Sequence, residues 1–144
     1  PQANIDGVMH YLLGNSSKSI ARTSGRINKI YGGRYKWSLI EDPYYYANVY
    51  KYVYRNPVKA KLCNFVEDYP WSTIHKYHEK SFTFPMLSST DLGNMVPTNT
   101  SQLFKWLNTP NSTELERSIQ TALRRTVFKF PRDQKTKERI RYNA

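Results

Sequence analysis

One short segment constrains this chain more than any other: Asp42-Pro43-Tyr44-Tyr45-Tyr46-Ala47-Asn48-Val49-Tyr50-Lys51-Tyr52-Val53-Tyr54-Arg55-Asn56-Pro57. It holds six of the 12 tyrosines. Asp42 can accept from the free N–H groups of a first helical turn, and Pro43 suits the first helical position, where no N–H is needed. Asn56 precedes a proline, whose ring disfavours helical geometry in the residue before it. The helix is therefore expected to end or kink there. At about 3.6 residues per turn, Val49 and Val53 form the centre of an apolar stripe, widened by Tyr46 and Tyr50 on one side and by Tyr45 and Tyr52 on the other. Asn48, Lys51 and Arg55 fall outside the stripe. Tyr52 stands at its border, with Asn48 and Asn56 one turn before and one turn after it on the same side. Such a phenol has three readings: a nucleophile, a platform on which bases stack, or a core residue with a satisfied hydroxyl. Core packing is the commonest role for any one tyrosine.

Charge narrows the choice of partner. The 144 residues carry 22 Lys plus Arg against 11 Asp plus Glu, a formal net charge of +11 and a pI near 9.8. That footprint fits a polyanion, nucleic acid first. Aromatic residues make up 15% of the chain and mix with the positive charge. Stacking combined with phosphate neutralisation is how single strands are commonly held. A membrane is disfavoured, because no stretch approaches the ~18 apolar residues that a spanning helix needs. The lone Cys63 excludes an intrachain disulfide and a cysteine-based zinc finger. It agrees with a reducing, cytoplasmic setting. The chain opens on Pro1 and runs almost at once into a helix, which reads as a segment whose true N-terminus lies upstream.

Along the chain, Asn4 can cap a first helix from Ile5 to about Ile27. Ile5, Val8, Met9, Leu12, Ser16, Ile20 and Ile27 follow helical spacing, with Lys18, Arg22 and Arg26 opposite. Gly14 and the serines at 16, 17 and 19 are weak helix formers and make a break plausible. Gly32-Gly33, between two aromatic runs, signals a β-hairpin over residues 29–41, with Arg34, Lys36 and Ser38 on its outer face. After the tyrosine helix come a short helical turn at 58–63, a loop at 64–71 anchored by Phe65, Tyr69, Pro70 and Trp71, and a short helix at 72–78. Residues 79–98 read as a linker rich in Ser, Thr, Pro and Gly. Two helices follow, Thr100 to Leu107 and Thr113 to about Arg125, the second capped by Ser112 or Asn111. The charged end at 132–141 reads as a segment that orders on DNA. The fold class is mainly α with one short β-hairpin or strand.

Few residues offer catalytic chemistry on pattern alone. His75-x-x-His78 places two imidazoles on one helical face, but a metal site needs at least a third ligand. No paired carboxylates suggest a two-metal nuclease. Arg124, Arg125, Lys129 and Arg132 suit phosphate contact or a solvated tail equally well.

The run Tyr52-Val53-Tyr54-Arg55-Asn56-Pro57-Val58-Lys59-Ala60-Lys61-Leu62, with Gly33-Arg34-Tyr35-Lys36 upstream and Glu67-Asp68-Tyr69-Pro70-Trp71-Ser72-Thr73 downstream, resembles the REP-associated tyrosine transposases, a branch of the HUH-type single-strand transposases. The likeness covers roughly residues 4–78, in order and spacing. It implies that residues 1–78 are the C-terminal part of a ferredoxin-like α+β catalytic domain, and that 99–144 form a basic helical extension beyond the linker. It implies a mobile-element enzyme of DNA transposition and recombination, which cleaves and joins single-stranded or hairpin DNA through a 5′-phosphotyrosine. Tyr52 matches the nucleophile. Asn56 matches a polar residue that helps hold a divalent metal, magnesium or manganese, and Tyr54 is the nearest rival tyrosine. Arg26, Arg34, Lys36, Lys59, Lys61, Arg124 and Arg125 are the expected DNA contacts, and a homodimer is the expected assembly. The chain departs from the family pattern in one respect: it contains no His-hydrophobic-His pair. In the family that pair lies on a strand before the first helix found here, so this chain alone is expected to be inactive. A second reading keeps only the basic, aromatic surface: a non-catalytic nucleic-acid-binding module. A third, an assembly module whose tyrosine helix packs on another protomer, has less to support it.

Overall fold

A computed structural model describes residues 4–33, 35–78, 95–133 and 135–142, with the side chains of 76–78 outside the description. Its elements are five α-helices and a 3₁₀ turn: α1 (Ile5–Ser24), α2 (Pro43–Lys59), the turn (Val66–Asp68), α3 (Thr73–His78), α4 (Thr100–Asn108) and α5 (Thr113–Ala122). The chain is mainly helical, as composition and periodicity suggest. It divides into two compact units, residues 1–36 and residues 37–144. This boundary does not coincide with the linker read at 79–98, most of which lies outside the described residues.

The first unit is α1 and the loop after it. Asn4 caps the helix, its Oδ1 accepting from Gly7 N at 2.8 Å, and Gly25 ends it at φ 65°, a left-handed conformation that glycine adopts without strain. Gly14 and the serine stretch do not break it. Ser16, Thr23 and Ser24 return their hydroxyls to carbonyls one turn back, at 2.7–3.0 Å, so the polar side chains bond within the helix instead of unwinding it. The helix has no buried residue. Its apolar stripe lies open, with Val8 64% and Leu12 55% exposed.

The expected hairpin over 29–41 is not formed by the described residues. Leu39 instead makes a parallel bridge to Val127, with Leu39 N bonded to Thr126 O and Phe128 N to Leu39 O, both at 2.8 Å. Tyr31, Gly32 and Gly33 take bends, and Leu39 finds a partner far along the chain.

In the second unit α2 lies between two apolar clusters. Tyr45 and Val49 pack with Leu115, Ile119 and Ala122 of α5 and with Phe128 and Phe130. The rings meet edge-on, Tyr45 with Phe130 at 5.0 Å and Phe128 with Phe130 at 5.2 Å, the arrangement aromatic quadrupoles favour. Ala47 packs on another side with Val66, Ile74, Val96, Leu103 and Leu107, under Tyr46, Tyr50, Tyr54 and Trp106. The loop anchor is thus Val66, 1% exposed; Phe65 and Trp71 are open, Trp71 at 86%. Asn108 ties that loop to the end of α4, accepting from Val66 N at 3.0 Å and donating to Glu67 Oε2 at 2.9 Å.

The helix does not stop at Pro57; it runs on to Lys59. Pro57 has no N–H to give the Val53 carbonyl, but Val53 is half exposed, so water can take that bond. Ala60 N bonds to Asn56 O and Leu62 N to Pro57 O, which carries the turn past the proline.

The charged C-terminal segment is folded. Asp133 Oδ1 accepts from Lys135 N at 2.8 Å and Thr136 N at 2.9 Å, closing a turn that brings Arg132 opposite Arg139. Beyond it Tyr142 returns to the first cluster. Its hydroxyl pairs with Ser118 Oγ at 2.9 Å, and its carbonyl accepts from the Tyr44 hydroxyl. An aspartate turn and one aromatic anchor hold the segment despite its charge.

Candidate functional site

The helix that carries Tyr52 buries Tyr45 and Val49 of its apolar stripe, but its packed side extends past the stripe into polar residues. Asn48, Lys51 and Arg55 are buried at 1%, 2% and 9% exposure, while Val53 is 52% exposed. The reading that placed Asn48, Lys51 and Arg55 outside the packed face is therefore corrected. Burial of these polar groups follows from what α4 and the turn after it offer. Arg55 Nη1 donates to the Leu107 and Asn108 carbonyls at 2.9 and 2.7 Å, the unpaired and partly negative end of α4. Lys51 Nζ sits 5.1 Å from the Trp106 ring centre, over the electron-rich face. Burial, then the nearby Arg55 charge, hold the Lys51 ammonium below its ordinary 10.5. Asn48 donates to the Tyr44 carbonyl at 2.8 Å. It is thus internal and does not share the open side with Tyr52.

The tyrosines of α2 separate by what their hydroxyls do. Tyr44 is tied to the Tyr142 carbonyl, and burial holds its phenol above the usual value. Burial raises Tyr46 as well. Tyr45 is a core residue. Tyr54, the rival nucleophile, pairs with Thr73 Oγ1 at 2.6 Å and packs edge-on against Tyr50 at 4.7 Å. Tyr52 leans its ring on the first cluster and is only partly buried. No hydrogen bond of its hydroxyl is found among the described residues. One turn on, Asn56 is exposed. Tyr52, Val53 and Asn56 thus form the open side of α2, with a phenol and a hard amide oxygen one turn apart.

Asn56 alone does not make a metal site. No group of three or more His, Cys, Asp or Glu suited to a metal occurs among the described residues. His75 Nδ1 lies 2.6 Å from the Glu67 carbonyl, a structural contact, and the His78 side chain is outside the description.

The basic residues named from sequence fall in separate places. Arg26 and Lys36 are exposed in the first unit, and Arg34 lies outside the described residues. Lys59 is paired with Glu116 across α2 and α5, and its side chain stays half exposed. Lys61 is exposed at φ 58°, just past the helix. Arg124 and Arg125 are exposed where α5 unwinds, held by backbone bonds to Thr121 and Ala122. No helix of the described residues is long and apolar enough to cross a membrane. Sequence reasoning missed Lys51 and Arg55 as internal cations. The spacing Phe128-x-Phe130 was a legible sign of a half-buried extended segment. Comparison of the chain with protein-family models, with curated proteins and with solved structures found no match.

Proposed function

We propose that the chain is the DNA-binding C-terminal part of a ferredoxin-like, HUH-type tyrosine transposase, with Tyr52 as its nucleophile. The observation that carries this reading is the open side of α2. Of the tyrosines on that helix, Tyr52 combines partial exposure, an uncommitted hydroxyl and an exposed amide one turn later. The rival Tyr54 is committed to Thr73. In the reaction the Tyr52 oxygen bonds to a backbone phosphorus, the bond to the 3′ oxygen breaks, and that oxygen leaves as a hydroxyl by taking up a proton. The 5′ end stays on the tyrosine, which conserves the ester for rejoining. A phenol of pKa ~10 needs help at neutral pH. A divalent metal would supply it by neutralising charge on the phosphate. Asn56 would offer it one oxygen; the remaining ligands belong to a His-hydrophobic-His pair, which this chain does not contain.

The test is covalent trapping. A protein carrying such a pair upstream of Asn4 is incubated with single-stranded or hairpin DNA, and the adduct is mapped by mass spectrometry. The expected adduct is on Tyr52. Tyr52→Phe abolishes it with little change in affinity, and Tyr54→Phe retains it. An adduct on another tyrosine overturns the assignment.

The exposed Arg124 and Arg125, remote in sequence from α2, favour a second reading, a binding module without chemistry. Unchanged DNA affinity with no adduct from any tyrosine would select it.

A further inference from the structure

The first unit holds a cleft of about 310 Å³ between one face of α1 and the loop that follows the helix. That volume is at the small end of the range for small-molecule sites, ~300–1,000 Å³. Asp6 and His10, one turn apart on α1, line the helical wall, and Tyr31 and Tyr35 line the loop wall. A bond of 2.9 Å between the Tyr31 hydroxyl and Ser16 Oγ pins the loop to the helix. Two glycines keep the space open: a Cβ at Gly14 or Gly33 would meet no heavy atom within 4 Å. The Tyr35 hydroxyl is buried with no hydrogen-bond partner. Asp6 is also free to accept, since the one ion pair among the described residues joins Lys59 to Glu116.

The chemistry of the walls selects the ligand. The Asp6 carboxylate in the helical wall disfavours phosphate there. The cleft offers two adjacent acceptor oxygens, an imidazole and two aromatic rings. The complement is a flat heterocycle with two adjacent N–H donors beside a carbonyl. Guanine has that edge: N1–H and N2–H face a carboxylate in parallel, and O6 accepts from an imidazole. Adenine and cytosine set one amino donor beside an acceptor. Thymine sets one imino donor between two acceptors. Unpaired bases are read in this way, by their Watson–Crick edge and by stacking on tyrosine.

We propose that this cleft binds an unpaired guanine base, with Asp6 as the reading residue and Tyr31 and Tyr35 as the stacking walls. The proposal rests on the reading of the chain as a single-strand DNA binder and adds a sequence preference to it. The exposed Arg26 and Lys36 of the same unit would serve the flanking phosphates.

Two measurements on the full chain test it. Amide NMR spectra are recorded during titration with guanosine 5′-monophosphate and, separately, thymidine 5′-monophosphate. The guanine nucleotide should shift the amides of Gly14, Gly33 and Tyr35, and the thymine nucleotide should not. Anisotropy then compares an all-thymine strand with the same strand holding one central guanine. The guanine strand should bind about tenfold tighter, as a two-bond base contact warrants. Asp6→Asn should erase that preference and leave all-thymine affinity within about twofold, since a reading contact adds specificity to a phosphate-driven background. Gly14→Leu, which fills the cleft while favouring the helix, should erase both the shifts and the preference. Strand binding with no guanine preference and no shifts overturns the cleft and leaves the single-strand reading standing. Guanine shifts without binding to either strand uphold the cleft and overturn that reading.

Discussion

At the scale of single residues, Lys51 and Arg55 show two ways to bury a cation without a carboxylate. Arg55 is fixed by two carbonyls at the negative end of a helix, while Lys51 has a ring face and no hydrogen bond among the described residues. The second arrangement compensates less for lost hydration. Lys51 is held below 10.5, so over the alkaline range beneath that value the native state sheds a proton that the unfolded chain keeps. Unfolding then takes up a proton, and this residue's contribution to stability rises with pH until about 10.5. Tyr44 and Tyr46, held above 10.0, act in the opposite sense at higher pH: the native state retains protons the unfolded chain has lost, and stability falls. Lys51→Met isolates the first effect by keeping the stem and removing the charge. It should unfold at the same or a higher urea concentration at neutral pH, a gain of about 1 kcal/mol. The difference between its pH profile and that of the parent should close as pH rises. A large loss of stability would show that the cation contributes more over Trp106 than its burial costs.

At the scale of elements, α2 depends on partners that arrive late in the sequence. Arg55→Met should leave the two carbonyls at the end of α4 unpaired and lower stability by about 2–3 kcal/mol in urea unfolding. Phe130→Ala should cost about 3–5 kcal/mol, because Phe130 is 2% exposed and touches Tyr44, Tyr45, Phe128 and Tyr142. The last turn depends on Asp133, whose carboxyl is held below 3.8 by the Thr136 and Lys135 amides. That contribution is complete above the ordinary aspartate value and is lost as pH falls through the lowered one. Hydrogen-exchange protection at Lys135 and Thr136, taken relative to the intrinsic rate at each pH, should fall on acidification below 3.8, and Asp133→Asn should flatten the response. The helices were legible because their signals are local. Asp42, Asn99 and Ser112 accept from the first-turn amides of their helices, and apolar spacing marks α4 and α5. The buried polar side of α2 was not legible, because polarity along one helix carries no information about a carbonyl cluster 52 residues away. The hairpin failed for the same reason: Gly32-Gly33 suggests a turn, but the partner of Leu39 is Val127. At the candidate site, helical spacing was enough to set Asn56 one turn after Tyr52, while the roles expected of them came from the resemblance. The engagement of Lys59 by Glu116 and the internal place of Asn48 required the packing.

At the scale of the whole molecule, the net charge of +11 is the property most open to measurement. If the chain binds DNA through phosphate contacts, affinity should fall by orders of magnitude between about 50 and 200 mM salt, with a log–log slope that counts the contacts. Replacing Arg124 and Arg125 together by alanine should make that slope shallower by about two. An unchanged slope would assign both residues to solvent. The closure of the first aromatic cluster by Tyr142 has a consequence for biosynthesis. Tyr44 and Tyr142 are 98 residues apart, and both join that cluster. On a translating ribosome the tyrosine helix therefore leaves the exit tunnel long before the aromatic rings and helix ends that cover it exist. During that interval its rings and two internal cations face solvent. The nascent chain should be a substrate for chaperones that hold aromatic, basic segments, and release should follow the emergence of Tyr142.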